Sequence, residues 1–216
     1  MKPHHFFIIF LLVVLAIAGR NYQDTDPSVS TSVYEINGRN REPIYRIRVP
    51  NEWIWKTPLP KDSLADTTKA LFEVIINDTE GIIRITIHNF PSESLEDRIS
   101  PLSQVARWEH QFDSLEPNNS YTIPQAFSGY TGLLFHGTGI LHEKRSVVLG
   151  WALQIAPEHY RTLLRMNEGN ALTYKQMRGD VTIKAVGPYS LIEKYETAII
   201  AMARSFELIE EIPQRL

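Results

Sequence analysis

Residues 181–206 read VTIKAVGPYSLIEKYETAIIAMARSF, a strand pattern followed directly by a helix pattern. Val181, Ile183 and Ala185 alternate with other side chains, as in a strand with one buried face. Gly187-Pro188 then opens a helix with an apolar stripe of about four turns. The stripe consists of Leu191, Ile192, Tyr195, Ala198, Ile199, Met202, Ala203 and Phe206. Because such a stripe is buried against a sheet, the segment predicts a domain in which helices cover β-structure.

Most of the remaining chain shows short strand patterns separated by turn residues. Residues 45–49 alternate apolar and basic side chains before Pro50, which ends a strand. Further strands are predicted at 72–76, 83–87, 121–127, 130–136 and 146–155. Ser100-Pro101 predicts the start of a second helix, with an apolar stripe that reaches Leu115 and ends before Pro117. This order predicts an α+β domain with a mostly antiparallel sheet and helices packed on its faces.

Three segments resemble the PsbP-type domain family. They are YRIRVPNEW at 45–53, GWALQI at 150–155, and DVTIKA at 180–185 together with the helix that runs to Ser205-Phe206. The resemblance covers residues 43–209 and rests on hydrophobic pattern plus a Pro-x-x-Trp turn. It implies a layered α+β sandwich and a non-enzymatic role in binding or assembly. It assigns no functional residue position by position.

The N-terminus carries a targeting segment. Residues 6–19 read FFIIFLLVVLAIAG, follow Lys2, and contain the small-residue exit Ala16-Ile17-Ala18. This pattern predicts a signal peptide cleaved after Ala18, since a membrane span needs about 20 apolar residues; an uncleaved N-terminal anchor is the second interpretation. Arg20 stands where a lipoprotein signal would place cysteine, so no lipid anchor is predicted. The predicted organisation is a signal or anchor at 1–19, a flexible tether at 20–42, one domain at 43–209 and a tail at 210–216.

Composition excludes several classes of chemistry. The 216 residues include 22 basic and 25 acidic side chains, a net charge of −3 that argues against nucleic-acid binding. The chain has no cysteine, which excludes disulfides, thiolate nucleophiles and cysteine-ligated metals. The glycines at 129–132 and 137–139 match neither a dinucleotide fingerprint nor a P-loop. His136 and His142 are six residues apart near a predicted turn, but a metal site is not favoured. The sequence therefore predicts no catalytic residue, cofactor or metal.

Two features are candidate binding surfaces. If their strands are neighbours, the outward side chains Arg46, Arg48, Arg84, Thr86 and His88 form a basic patch for an acidic partner or an anionic headgroup. A solvated sheet face is the competing interpretation.

The second feature is Trp53 and Trp55, which lie in a proline-bounded segment. One interpretation is that they anchor a partner. The interpretation that we prefer is that they close the open edge of a small core.

The main functional prediction is an exported, non-catalytic domain that binds or assembles a protein of the cell envelope, in the periplasm or anchored to the membrane. Membrane contact is expected through the N-terminal segment if it is not cleaved. The alternatives are an envelope hydrolase with an unrecognised Ser/His/Asp site and a small-ligand carrier. A deep pocket that joins a histidine, a carboxylate and a nucleophile would favour the hydrolase, and a closed apolar cavity would favour the carrier.

Overall fold

The computed structural model describes residues 29–37, 43–56, 71–90, 96–158 and 179–209. The predicted signal or anchor at 1–19 and the tail at 210–216 lie outside the described residues. Within the described ranges, no helix has the length and apolar character needed to cross a membrane.

The described residues form eleven strands, two α-helices and a 3₁₀ turn at Pro117–Asn119. The first five strands are β1 (Thr31–Asn37), β2 (Pro43–Pro50), β3 (Ile54–Lys56), β4 (Phe72–Asp78) and β5 (Gly81–Phe90). Helix α1 (Pro101–Glu109) follows, then β6 (Ser114–Leu115), β7 (Tyr121–Phe127), β8 (Tyr130–Leu141), β9 (Lys144–Ile155) and β10 (Asp180–Pro188). Helix α2 (Tyr189–Arg204) and β11 (Glu207–Leu208) complete the fold.

The strands make two sheets in which every pair is antiparallel. The small sheet has the order β1-β2-β11. The large sheet has the order β3-β4-β5-β10-β9-β8, and both β6 and β7 pair with the outer side of β8. Tight turns join the long strands: Ser128-Gly129 links β7 to β8, and His142-Glu143 links β8 to β9, all with positive φ. The predicted antiparallel α+β architecture is confirmed for the described residues.

The main core lies against one face of the large sheet. Helix α2 buries Leu191, Ile199 and Met202 there, in the same cluster as apolar side chains of β2, β4, β5, β9 and β10. The alternating burial of β2 places Tyr45 and Ile47 in this cluster and turns the intervening arginine outward. The prediction from residues 181–206 is therefore confirmed: the strand β10 enters the large sheet, and the helix α2 that follows it covers one face of that sheet.

Helix α1 packs on the opposite face of the large sheet, over β8 and β9. Its Trp108 is 2 % exposed and shares a second buried cluster with Val105 and with Phe135 of β8. Gly150 in β9 makes room for the indole, because a Cβ at this position would lie 2.5 Å from Trp108 Cε3 and 2.9 Å from Cη2. The missing side chain therefore determines how closely α1 approaches the sheet.

A buried ion pair fixes the chain where it enters α1. Arg98 and Asp180 have side chains only 4 % and 7 % exposed. Arg98 Nε donates to Asp180 Oδ2 at 2.8 Å, and Arg98 Nη2 donates to the Ile155 carbonyl at 2.6 Å. The Ile155 N–H in turn donates to Asp180 Oδ1 at 3.0 Å. This network ties the segment before α1 to the end of β9 and the start of β10.

Two boundaries differ from the sequence prediction. The tether was expected to reach residue 42, but Thr31–Asn37 form β1, which pairs with β2 over its whole length. The polar composition of this segment hid a strand that gains its hydrogen bonds from β2. Helix α1 was expected to continue toward Leu115, but it ends at Glu109. From Asp113 onward the backbone joins the sheet instead, since the Asp113 N–H donates to the Ile140 carbonyl at 2.8 Å.

Candidate binding surfaces

The large sheet has an outer face beside α1, on the strands β3, β4, β5 and β10. Alternate residues of these strands, including Val74, Ile85 and Ala185, enter the main core, so the residues between them point to the other side. Strand register aligns two rows across the four strands. One row is Lys56, Glu73, Thr86 and Lys184, and the other is Ile54, Ile75, Arg84 and Val186. These rows, with Ile82 and His88, are called the open face below.

The open face combines apolar surface with positive charge. Ile54 is 42 % exposed and Ile82 is 57 % exposed, although both are large apolar side chains. Arg84 forms an ion pair with Glu73, and Lys184 Nζ donates to Gln111 Oε1 of the segment after α1 at 3.4 Å. Among the described residues of the open face, three cationic side chains therefore accompany a single carboxylate, on a chain that is acidic as a whole.

Arg46 and Arg48 lie elsewhere, on the outer face of the small sheet. Arg46 Nη2 lies 3.3 Å from Glu35 Oε1, and its Nη1 lies 3.1 Å from Glu207 Oε1, so neighbouring strands neutralise its charge. Arg48 is exposed, and its backbone N–H donates to Ser205 Oγ. The condition behind the predicted five-residue patch is not met, because β2 and β5 belong to different sheets. Arg84, Thr86 and His88 share the open face, whereas the other two arginines do not.

Trp53 and Trp55 are packed against the main core. Trp53 is 7 % exposed and meets the ring of Tyr195 edge-on, with 6.5 Å between ring centroids. Trp55 is half-buried and stacks between Tyr34 of β1, at 4.3 Å, and Phe72 of β4, at 4.4 Å. The two indoles thus join the small sheet, the large sheet and α2, which is the geometry expected of residues that close the edge of a core.

Sequence reasoning missed a contact between His136 and helix α2. His136 Nε2 lies 3.8 Å from Glu196 Oε1, and the imidazole stacks on Tyr121, with 4.7 Å between centroids. Burial of the Tyr121 hydroxyl, together with the negative charge of Glu196, raises the pKa of Tyr121. Sixty residues separate His136 from Glu196, so no local motif marks the pair. His142 occupies the turn after β8, so the two histidines do not face each other across a hairpin.

A second unforeseen cluster surrounds Asp78 at the end of β4. Its Oδ2 accepts from Lys194 Nζ at 2.7 Å and from Tyr195 Oη at 2.8 Å. These hydrogen bonds hold the pKa of the Asp78 carboxyl well below its usual range. The hydrogen bond that the Tyr195 hydroxyl donates to Asp78 is also the main reason why the pKa of Tyr195 is raised. The cluster fastens α2 to the β4–β5 turn, and every contact in it is internal to the fold.

A small pocket lies between the start of α1 and strands β9 and β10. Its volume is about 20 Å³, enough for one water molecule. Among its described lining residues the polar ones include Gln104, Asp180 and Thr182, and none is a histidine. Among the described residues, no group of three or more histidine, aspartate or glutamate side chains has an arrangement that would hold a metal ion.

The free edge of β7 is a further surface to consider, because its sequence YTIPQAF carries no charge. The Glu116 N–H donates to the Thr138 carbonyl of β8 at 2.8 Å. The even-numbered residues of β8 therefore direct their backbone N–H and C=O groups to the side on which β6 and β7 pair. Pro124 pairs with Leu133, an odd-numbered residue, and therefore turns its own backbone outward. Proline has no N–H, and Gln125 Nε2 donates to the Pro124 carbonyl at 2.9 Å. The edge is thus protected at its centre against pairing with another strand.

The chain is therefore an antiparallel α+β domain with an exposed apolar and cationic sheet face. No family model and no curated protein matches it. The solved structures to which it is similar include the following three. One is LpqN of Mycobacterium tuberculosis, described as involved in cell envelope biogenesis, with 10 % identity, a TM-score of 0.47, and coverage of 87 % of this chain and 88 % of that one.

The second is the cyanobacterial PsbP of Synechocystis sp. PCC 6803, with 12 % identity, a TM-score of 0.44, and coverage of 88 % of this chain and 99 % of that one. The third is a Pseudomonas aeruginosa protein of unknown function, PA94, described as a putative regulator. It has 9 % identity, a TM-score of 0.43, and coverage of 86 % of this chain and 99 % of that one. The structures found thus include a PsbP protein, and the PsbP-type domain is the family that the sequence patterns resemble.

Proposed function

We propose that the chain is an exported, non-catalytic domain of the cell envelope that binds a protein partner on its open face. The observation that carries this proposal is the exposure of Ile54 and Ile82 beside three cationic side chains on one sheet face. Exposed apolar surface of this kind, bordered by charge, is typical of protein interaction sites. The pocket beside α1, with room for one water molecule, offers no comparable support for a substrate or a carried ligand.

Export rests on the apolar segment at 6–19 and its small-residue exit. We expect the mature protein, isolated from its native envelope, to begin at Gly19. N-terminal sequencing of that sample tests this expectation, and an intact Met1 would show that the segment is retained as an anchor.

The binding surface can be tested with single cysteines, because the chain has none of its own. Ile82→Cys places a thiol on the open face, and Arg48→Cys places one on the exposed outer face of the small sheet. Each variant would be coupled to a thiol-reactive photo-crosslinker in the native envelope. We expect a discrete protein adduct from Ile82→Cys and none from Arg48→Cys.

The other outcomes contradict different parts of the proposal. An adduct from Arg48→Cys alone would move the binding surface to the side that carries Arg46 and Arg48. The absence of an adduct at both positions would contradict a protein-binding function altogether.

A further inference from the structure

We infer that the partner presents an amphipathic α-helix with acidic flanks, which lies on the open face beside α1. This inference rests on the proposed function and adds the chemistry of the partner. It follows from the width of the face, the arrangement of its apolar row and the position of its lysines.

The width of the open face fits a helix. Three spacings of ~4.8 Å between its four strands make each row about 14 Å long, which is the rise of about ten helical residues, so a helix laid across the strands spans the face. Sheet faces are covered by helices or by another sheet, and α1 already occupies the neighbouring strands of this same face. A partner helix would continue the layer that α1 begins.

The apolar row supplies the contact for such a helix. Ile54 and Ile75 are direct cross-strand neighbours, and Val186 at the other end packs against the cluster beneath α1. Arg84 lies between them in register, and its methylene stem offers apolar surface while its guanidinium stays in solvent. An apolar stripe at i, i+3, i+4 and i+7 is the pattern that matches a surface of this kind.

The polar row indicates the charge of the partner. Lys56 and Lys184 occupy its two ends, three strand spacings apart, which corresponds to about 14 Å. Helix positions i and i+7, or i and i+11, lie on one side of a helix and are ~10.5 and ~16.5 Å apart. Carboxylates at such positions would reach both lysines. Glu73 does not offset this attraction, since its charge is paired with Arg84.

The same charge count argues against a membrane surface as the occupant. Anionic lipid surfaces are typically recognised by about four to eight clustered Lys and Arg residues. The described residues of the open face include three cations and one carboxylate, a net charge of +2. Its exposed apolar side chains are isoleucines, whereas tryptophan and tyrosine are preferred at membrane interfaces.

The test uses the full chain and a fluorescent 22-residue peptide with a leucine stripe and glutamate flanks. The comparison probes are the same peptide with lysine in place of every glutamate, and vesicles that contain 30 % phosphatidylglycerol. The variant Lys56→Glu/Lys184→Glu reverses both ends of the polar row. Arg48→Glu/Lys144→Glu makes the same change of net charge at exposed residues outside the open face. Fluorescence anisotropy at low and high salt measures binding of the peptides.

We expect the wild-type chain to bind the acidic peptide, more weakly as salt rises, and the basic peptide not to bind. The open-face variant should bind about tenfold more weakly, Lys56→Glu alone about threefold more weakly, and the control variant within about twofold of wild type. Lys56→Glu keeps the test valid if the double variant does not fold, because Lys56 is exposed at the end of its strand.

Binding of the vesicles without the acidic peptide would overturn the inference in favour of a lipid surface. Equal loss of affinity in the open-face and control variants would also overturn the inference, because the loss would then depend on the net charge of the chain and not on where the charges lie. If the acidic peptide fails to bind while the Ile82→Cys adduct persists, the partner is of different chemistry and the proposed function stands. If that adduct is absent as well, both proposals fail.

Discussion

Replacing Gly150 by alanine tests the contact that holds α1 on the large sheet. The added methyl group would stand 2.5 Å from Trp108 Cε3, where carbon atoms in contact require about 3.5 Å. The indole must therefore withdraw by about 1 Å. Trp108 is almost fully buried and is stacked near Phe135, with 6.4 Å between ring centroids, so the whole helix has to move with it.

The magnitude follows from two opposing effects. Overpacking of a tight core costs about 1–3 kcal/mol, and alanine in place of glycine inside a strand returns about 0.5–1 kcal/mol. We expect Gly150→Ala to lower the free energy of unfolding by about 1–2 kcal/mol. For a domain of this size, that corresponds to a decrease in Tm of about 2–8 °C.

Equilibrium urea denaturation followed by far-UV circular dichroism measures the loss, and a double variant identifies its cause. Trp108→Leu removes most of the ring, so the methyl group of Gly150→Ala then enters vacated space. The loss of unfolding free energy in the double variant should be smaller than the sum of the losses in the two single variants, by about 1 kcal/mol or more. Simple additivity, or a Gly150→Ala variant as stable as wild type, would refute the steric argument.

Three further predictions concern other parts of the fold. Arg98→Met should cost about 3–5 kcal/mol of unfolding free energy, because it leaves the buried carboxylate of Asp180 without its cation; an unchanged urea midpoint would contradict this. Pro124→Thr supplies the missing N–H at the free edge of β7, and sedimentation velocity should then show concentration-dependent dimers; a variant that stays monomeric would remove the edge argument. Hydrogen bonds from Arg145 lower the pKa of Glu116 from 4.5 to about 2, so its stabilising effect is complete above pH 4.5 and is lost as pH falls toward 2. Arg145→Gln should therefore flatten the pH dependence of stability in that range, and an unaltered pH profile would count against the ion pair.

Local pattern predicted the elements whose burial is periodic along the chain. The alternation in residues 45–49 and the stripe of α2 each show which side of the element is buried. In the fold, both buried sides face the main core. The strand at Thr31–Asn37 has the same alternation in weaker form, with Tyr34 and Ile36 packed inward and Val33 exposed. Its stability comes from β2, so its composition resembled that of a tether.

The candidate surface could be predicted only in part, for a related reason. Alternation within a strand correctly indicated that Arg46, Arg48 and Arg84 point away from the core. It carries no information about which sheet each strand joins, because sheet order depends on contacts between distant segments. The places of Lys56 and Lys184 on the open face could not be predicted either, because only the register between strands aligns them with Glu73 and Thr86.

Among the described residues, part of the large sheet has no helix over it because of how the two helices are distributed. Helix α2 has sixteen residues and, together with the small sheet, buries one face of the large sheet. Helix α1 has nine residues, about 13.5 Å of rise, and it is placed over β8 and β9 by Trp108 and Gly150. A helix of that length reaches Val186 of β10 but cannot also cover β5, β4 and β3. If those strands served only to complete the core, polar side chains would suffice on their outer side, yet Ile54, Ile75 and Ile82 stand there. These isoleucines are the contact that the proposed partner helix would use.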